Sequence, residues 1–85
     1  MSIIYMNLNG FLNKYPIFKV DENGQTELIG QSELQALPVL LPEICFANNC
    51  NKVMIEGLGP FAQHFKEIIT QNYAQQTYPI EIEVI

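Results

Sequence analysis

The segment that decides the fold is Lys-Val-Met-Ile-Glu-Gly-Leu-Gly-Pro-Phe at residues 52–61, because it combines a strand, a turn and the start of a helix. Residues 52–56 contain the apolar run 53–55, which is typical of a strand buried in a parallel part of a sheet. After the turn at residues 57–60, Pro60 favours the first position of a helix, where its missing N–H has no partner to lose. Apolar residues then recur at helical spacing and predict one face packed on the sheet; they are Phe61, Phe65, Ile68, Ile69 and Tyr73.

Further strands are predicted on both sides of this unit. Residues 2–8 include a run that is apolar on both faces, which indicates a central strand. Residues 15–20 and 25–29 form a predicted β-hairpin, because Asp-Glu-Asn-Gly at residues 21–24 favours a tight turn. Residues 80–85 alternate between apolar side chains and glutamates, which predicts a half-exposed strand near an edge of the sheet.

The first helix is harder to place, because two prolines interrupt residues 32–48. We expect either a kinked helix or a short first turn followed by a helix that starts near Pro42. Ser32 is a candidate N-cap, and Gln35 three residues later would complete a capping box. The asparagine pair at residues 48–49 should end the helix.

The predicted order of elements is strand, strand, strand, helix, strand, helix, strand, in a single α+β domain over residues 1–85. A chain of 85 residues with a 48% hydrophobic fraction can form one small core. Cys45 and Cys50 do not have the Cys-x-x-Cys spacing of redox or zinc sites, so we expect reduced thiols. Residues 1–10 lack the basic leader and continuous apolar run of an export signal, so we expect a cytoplasmic protein. Pro38 breaks the longest apolar stretch, which is far shorter than a membrane span.

The charged residues argue against one large class of partners. The four basic residues are widely spaced lysines, against nine acids, and the formal net charge is −5. Nucleic-acid binding requires clustered cations, and so does electrostatic attachment to a membrane. We therefore expect a protein partner or self-association, with neither nucleic acid nor membrane bound directly.

The element order, with an antiparallel hairpin first and a parallel β-α-β portion after it, resembles the ribonuclease H-like fold and predicts a mixed sheet. In that family, an acid on the first strand, a second acid opening the first helix and a third ending the fourth strand hold two metal ions. Glu33 and Glu56 match the second and third positions. The first strand departs from the family pattern, because Asn7 and Asn9 stand where the family carries an aspartate.

This departure bears on catalysis, because a neutral amide removes a charge that would balance two divalent cations. The resemblance therefore implies a catalytically degenerate unit, and we predict a small non-enzymatic interaction or accessory domain without a cofactor. The alternative is a metal-dependent nuclease or phosphoryl-transfer enzyme that uses Glu33 and Glu56 with a divalent metal. Both residues also have structural explanations, since Glu33 suits the first turn of a helix and Glu56 suits a solvated strand end.

A third hypothesis concerns the turn at residues 57–60. Gly57 and Gly59 before a helix could expose backbone N–H groups to a phosphate or another anion. Pro60 removes one of these donors, and no P-loop sequence follows, so a plain turn between strand and helix explains the same residues.

The hairpin supplies the candidate interaction residues, which are Phe11, Leu12, Tyr15 and Phe18. Aromatic anchors of this kind fill pockets on partner proteins, and in so short a chain they serve equally well as core. The terminal strand is a second candidate contact, because an edge strand can accept another chain. His64, the only histidine, is predicted at the surface of the second helix.

Overall fold

One mixed five-stranded sheet organises the chain, in a computed structural model that describes residues 2–10, 12–73 and 80–85. The strands are β1 (Ile3–Asn7), β2 (Tyr15–Val20), β3 (Thr26–Ser32), β4 (Lys52–Glu56) and β5 (Glu81–Val84), and the helices are α1 (Leu37–Ala47) and α2 (Ala62–Tyr73). Short 3-10 turns at Leu34–Ala36 and Gly59–Phe61 precede the two helices.

The order of strands across the sheet is β3-β2-β1-β4-β5. Strand β2 is antiparallel to β1 and β3, whereas β4 is parallel to β1 and β5. Strand β1 is central, as its apolar residues on both faces predict, and the pairing of β2 with β3 shifts register between Ile17 and Phe18. The mixed sheet and two helices confirm the predicted α+β class.

Both helices pack on the same face of the sheet, because their buried side chains share one core with that face. The sheet contributes Ile4, Met6, Ile17, Val53, Ile55 and Ile82 to this core, and the helices contribute Leu37, Leu41, Cys45, Phe65 and Ile69. The described part of the chain is therefore a two-layer structure, with a helical layer on one side of a sheet.

Helix α1 begins earlier than one of the two predicted alternatives, since it starts at Leu37 and contains Pro42. The alternative in which the helix starts near Pro42 is wrong. Pro38 occupies the first turn, where a missing N–H is tolerated. Pro42 is buried in the core side of the helix, so tertiary packing outweighs its cost of about 3 kcal/mol in a helix interior. The helix ends at the asparagine pair, as predicted, and Asn49 has a φ of 54°.

The predicted capping box is also wrong. Ser32 belongs to β3, and its hydroxyl donates to the backbone carbonyl of Glu33 at 2.8 Å rather than accepting a helical N–H. Glu33 is the residue before the first 3-10 turn, and its side chain caps no backbone group. Instead the Gln35 amide donates to the Glu33 carboxylate at 3.3 Å.

Helix α2 buries a shorter apolar stripe than predicted. Phe65 and Ile69 lie in the core, whereas Phe61 precedes the helix and is 68% exposed. The predicted contribution of the Tyr73 side chain lies outside the described residues. The stripe starts one turn later than predicted because Pro60 and Phe61 belong to the 3-10 turn Gly59–Phe61, and α2 begins only at Ala62.

Strand β5 confirms the prediction for the end of the chain. It is an edge strand, with Ile82 buried and both Glu81 and Glu83 exposed. This alternation leaves the two carboxylates on the face of the sheet opposite the helices.

Candidate functional site

The parallel strands β1 and β4 end side by side and bring together four residues from the sequence analysis, Asn7, Asn9, Glu56 and Gly57. Asn7 pairs directly with Glu56, and the Leu8 N–H donates to the Glu56 carbonyl at 2.7 Å. The chain then turns at Gly57, whose φ is 97°. A Cβ atom at Gly57 would lie 2.7 Å from the backbone nitrogen of Asn9, so only glycine permits this close approach of the two loops.

The side chains at this strand end form a hydrogen-bonded group on the face opposite the helices. The Tyr5 hydroxyl donates to the Glu56 carboxylate. This hydrogen bond, together with burial and the negative charge of Glu56, raises the pKa of the Tyr5 phenol, while the Asn7 side chain acts in the opposite direction. The Asn7 side-chain oxygen accepts the Asn9 N–H at 2.9 Å.

These contacts bear on the predicted metal chemistry. A divalent metal site of the two-ion type uses carboxylate oxygens that bridge two cations. Here the Glu56 carboxylate is occupied by a phenol, and the Asn7 oxygen is occupied by the backbone of its own turn. Over residues 2–10, 12–73 and 80–85, no group of three or more histidine, cysteine or acidic side chains is placed to hold a metal ion.

Glu33 and Glu56 stand at the same end of the strands, but their strands are far apart in the sheet. Glu33 follows β3, which is three strand positions from β4 in the sheet order. At about 4.8 Å between neighbouring strands, the two backbones are roughly 14 Å apart. Glu33 is exposed and lines a shallow depression with Leu12 and Tyr15. The structure therefore does not bring the two glutamates into one pair of carboxylates.

The turn at residues 57–60 has a structural role. Gly57 packs against the β1 loop, and Leu58 packs against the core and accepts the Phe61 N–H through its carbonyl at 3.2 Å. Gly59 has a φ of 56° and open space around it. Anion binding by the backbone at Gly57 and Gly59 stays a prediction.

The four predicted hairpin residues have different environments. Phe11 lies outside the described residues. Leu12 is exposed, whereas Tyr15 is buried and its hydroxyl donates to the Gly10 carbonyl at 2.9 Å. Phe18 is half-buried and faces away from the helices. Tyr15 therefore belongs to the core, and Phe18 is part of a surface.

That surface, which we call the open face, is the side of the sheet opposite α1 and α2. Its centre is a row of five residues paired from strand to strand across the sheet: Leu28, Phe18, Tyr5, Met54 and Glu83. Ile3 and Val20 form a neighbouring pair on the same face. The apolar side chains of this face are half-buried, except Leu28, which is 63% exposed, because none of the described helices covers them.

The open face has two chemically different halves. The half on β1, β2 and β3 is mainly apolar: five apolar residues lie on it, Ile3, Tyr5, Phe18, Val20 and Leu28, and Asn7, Thr26 and Gln31 add polar side chains towards the strand ends. The half on β4 and β5 carries three carboxylates, from Glu56, Glu81 and Glu83, and one cation, from Lys52. Lys52 pairs with Glu83 at 3.0 Å, and this contact raises the pKa of the lysine.

The remaining candidates lie elsewhere. Cys45 and Cys50 are both buried in the core. Burial, together with the neighbouring Cys50, raises the pKa of the Cys45 thiol to about 12. His64 is exposed on α2, as predicted. Among the described residues, neither helix has the length and apolar character needed to span a bilayer.

Comparison with known proteins gives no independent assignment. No protein-family model matches the chain, and no curated protein matches it significantly.

Sequence reasoning did not find the open face, because it depends on which strands are neighbours. The available signal was β1 itself, whose residues are apolar on both faces although helices cover only one. The contact between Tyr5 and Glu56 had no sequence signal, since the residues are 51 positions apart.

Proposed function

We propose that this chain is a non-enzymatic protein-interaction domain whose open face is the contact surface. The observation that carries the proposal is the row of apolar side chains across β1, β2 and β3, which the described helices leave uncovered. Burial of apolar area is the main favourable contribution to most protein–protein association. Apolar side chains that adjoin one another on an uncovered face of a small domain favour an interaction site.

The order of strands supports the further proposal that the chain is a degenerate ribonuclease H-like unit. Three antiparallel strands are followed by two strands parallel to β1, in the element order that the resemblance predicts. Asn7 lies beside Glu56 where β1 and β4 end, so an amide stands next to the acid of the fourth strand. The tyrosine hydroxyl on Glu56 supports a structural rather than a catalytic role for that acid.

A photo-cross-linking experiment tests the interaction function directly. A photoreactive phenylalanine analogue is placed at Leu28 in the open face and, as a matched control, at Val39 in the helical layer. The two positions are similarly exposed, at 63% and 62%. In the native host cells, illumination should link the variant at position 28 to a discrete partner and leave the variant at position 39 unlinked. The same adducts from both positions, or adducts from position 39 only, would refute the proposal.

The enzymatic alternative makes a separate prediction. A two-metal site would raise the melting temperature in Mg²⁺ or Mn²⁺, because a ligand that binds only the folded state stabilises it by mass action. We expect no rise in the wild-type chain beyond that of Glu56→Gln. A rise that is lost in Glu56→Gln would restore the nuclease hypothesis.

A further inference from the structure

We propose that the partner seated on the open face is a basic amphipathic helix of another protein. Its apolar stripe would lie on the β1, β2 and β3 half, and its lysine or arginine side chains would reach the carboxylates of β4 and β5. This inference rests on the proposed function and names the partner of that same surface.

The width of the apolar half fits one helix. Three neighbouring strands span about 10 Å between the outer two, which matches the diameter of a helix with its side chains. The row of Leu28, Phe18 and Tyr5 runs across this width. An extended strand would instead need a free edge for its backbone groups, and the open face is a surface of side chains.

The negative charge on the β4 and β5 half favours a partner with positive charge. Glu56, Glu81 and Glu83 against Lys52 leave a net charge of −2 on the open face, since three negative charges are offset by one positive charge. Glu81 and Glu83 are exposed at the edge strand, so cationic side chains can reach them. Acidic side chains beside an apolar strip favour a helix with cations on one flank.

The same asymmetry disfavours a second copy of this chain as the occupant. With a two-fold axis along the strands, β5 of one copy lies over β3 of the other, which places the Glu83 carboxylate on Leu28 with no cation from the other copy. With the axis across the strands, β5 lies over β5 and like charges meet. Both arrangements bury three carboxylates of each copy against Lys52 as the cation of this half, so the lost hydration is only partly offset, which costs free energy.

The test uses two synthetic helical peptides of roughly 18 residues, about five turns. Both carry a leucine stripe; one has lysines on the remaining positions and the other has glutamates. Binding to the full chain is measured by fluorescence anisotropy of labelled peptide. We expect the lysine peptide to bind and the glutamate peptide to bind at least roughly tenfold more weakly, because like charges face each other.

Variants of the chain then locate the binding. Leu28→Gln, and the pair Glu81→Lys with Glu83→Lys, should each weaken binding of the lysine peptide by about tenfold. The matched charge reversals Glu43→Lys with Glu67→Lys lie on exposed helix positions and should change it by less than about threefold, because they act only through net charge. The pair Glu81→Gln with Glu83→Gln repeats the test with milder changes if the reversals disturb the fold.

The outcomes separate this inference from the proposed function. If both peptides bind equally and Leu28→Gln weakens both, the open face docks partners but the basic character is wrong. If the helix-position reversals weaken binding as much as those on β5, the attraction is non-specific and the inference is overturned. If neither peptide binds, the inference is likewise overturned, while the cross-linking experiment decides the interaction function independently.

Discussion

Replacing Gly57 with alanine tests the contact that holds the ends of β1 and β4 together. At a φ of 97°, a residue with a Cβ atom is strained, at a cost of about 1–2 kcal/mol. The new Cβ would also lie 2.7 Å from the Asn9 nitrogen and 2.8 Å from its Cγ, so the two loops must move apart. Overpacking of this kind costs roughly 1–3 kcal/mol. We expect Gly57→Ala to lower the free energy of unfolding by about 3 kcal/mol.

Two other glycines in the chain provide matched controls. Gly59 also has a positive φ, of 56°, but a Cβ there meets nothing within 4 Å, so Gly59→Ala should cost only about 1 kcal/mol. A Cβ at Gly30 meets open space with no positive φ, so Gly30→Ala should change stability by less than about 0.5 kcal/mol. The difference between Gly57→Ala and Gly59→Ala isolates the contact with Asn9.

The assay is urea unfolding followed by far-ultraviolet circular dichroism, with thermal melts in parallel. For a domain of this size, about 3 kcal/mol corresponds to a fall in Tm of roughly 12–24 °C. A Gly57→Ala variant within about 0.5 kcal/mol of Gly59→Ala would show that the β1 and β4 loops are not in contact. The arrangement of Asn7 beside Glu56 would then be wrong.

Three further predictions concern the core and the titrating groups. Leu41→Ala should cost about 2–5 kcal/mol in urea unfolding because it leaves a core cavity, whereas Val39→Ala on the exposed side of the same helix should cost less than about 0.5 kcal/mol; equal costs would contradict the orientation of α1. The raised pKa of Tyr5 stabilises the folded chain fully below about pH 10, and this stabilisation is lost as pH rises through the raised value. Glu56→Gln should therefore reduce the alkaline loss of stability, and an unchanged dependence of the free energy of unfolding on pH would refute the contact. Cys45, buried and with a pKa of about 12, should resist iodoacetamide at pH 8 until urea unfolds the chain, as judged by mass spectrometry; fast native labelling would contradict its burial.

Much of the architecture follows from local sequence patterns. The apolar run of β4, the turn before β3 and the alternation of β5 each determine their own element, and β4 was predicted with the bounds Lys52–Glu56. Such patterns can be recognised locally because the side chains that a strand buries recur at a fixed spacing in its own sequence.

Helix α1 was not predictable in the same way. Its prolines lower the local helix propensity, yet Pro42 lies inside the helix, where it is buried. Serine is a residue type that favours the N-cap, but Ser32 continues β3 because it pairs with Tyr15 in the neighbouring strand. In both cases tertiary packing overrides the local preference.

The candidate surface depends on strand neighbours, and sequence patterns do not give these. Leu28, Phe18 and Tyr5 are separated in sequence and become one row only when the registers of β1, β2 and β3 are known. Phe18 was a predicted interaction residue, but the partners that make it part of a continuous face were not visible. The separation of Glu33 from Glu56 likewise follows from the order of strands.

The most direct test of the open face as a contact surface is an amide NMR titration of the isotopically labelled chain with the lysine peptide. The account predicts that chemical-shift changes concentrate at Tyr5, Phe18, Leu28 and Met54 on the open face, with smaller changes along β5. Changes concentrated in α1 and α2 instead, or no changes at peptide concentrations that saturate the anisotropy signal, would contradict the claim that partners bind on this side of the sheet.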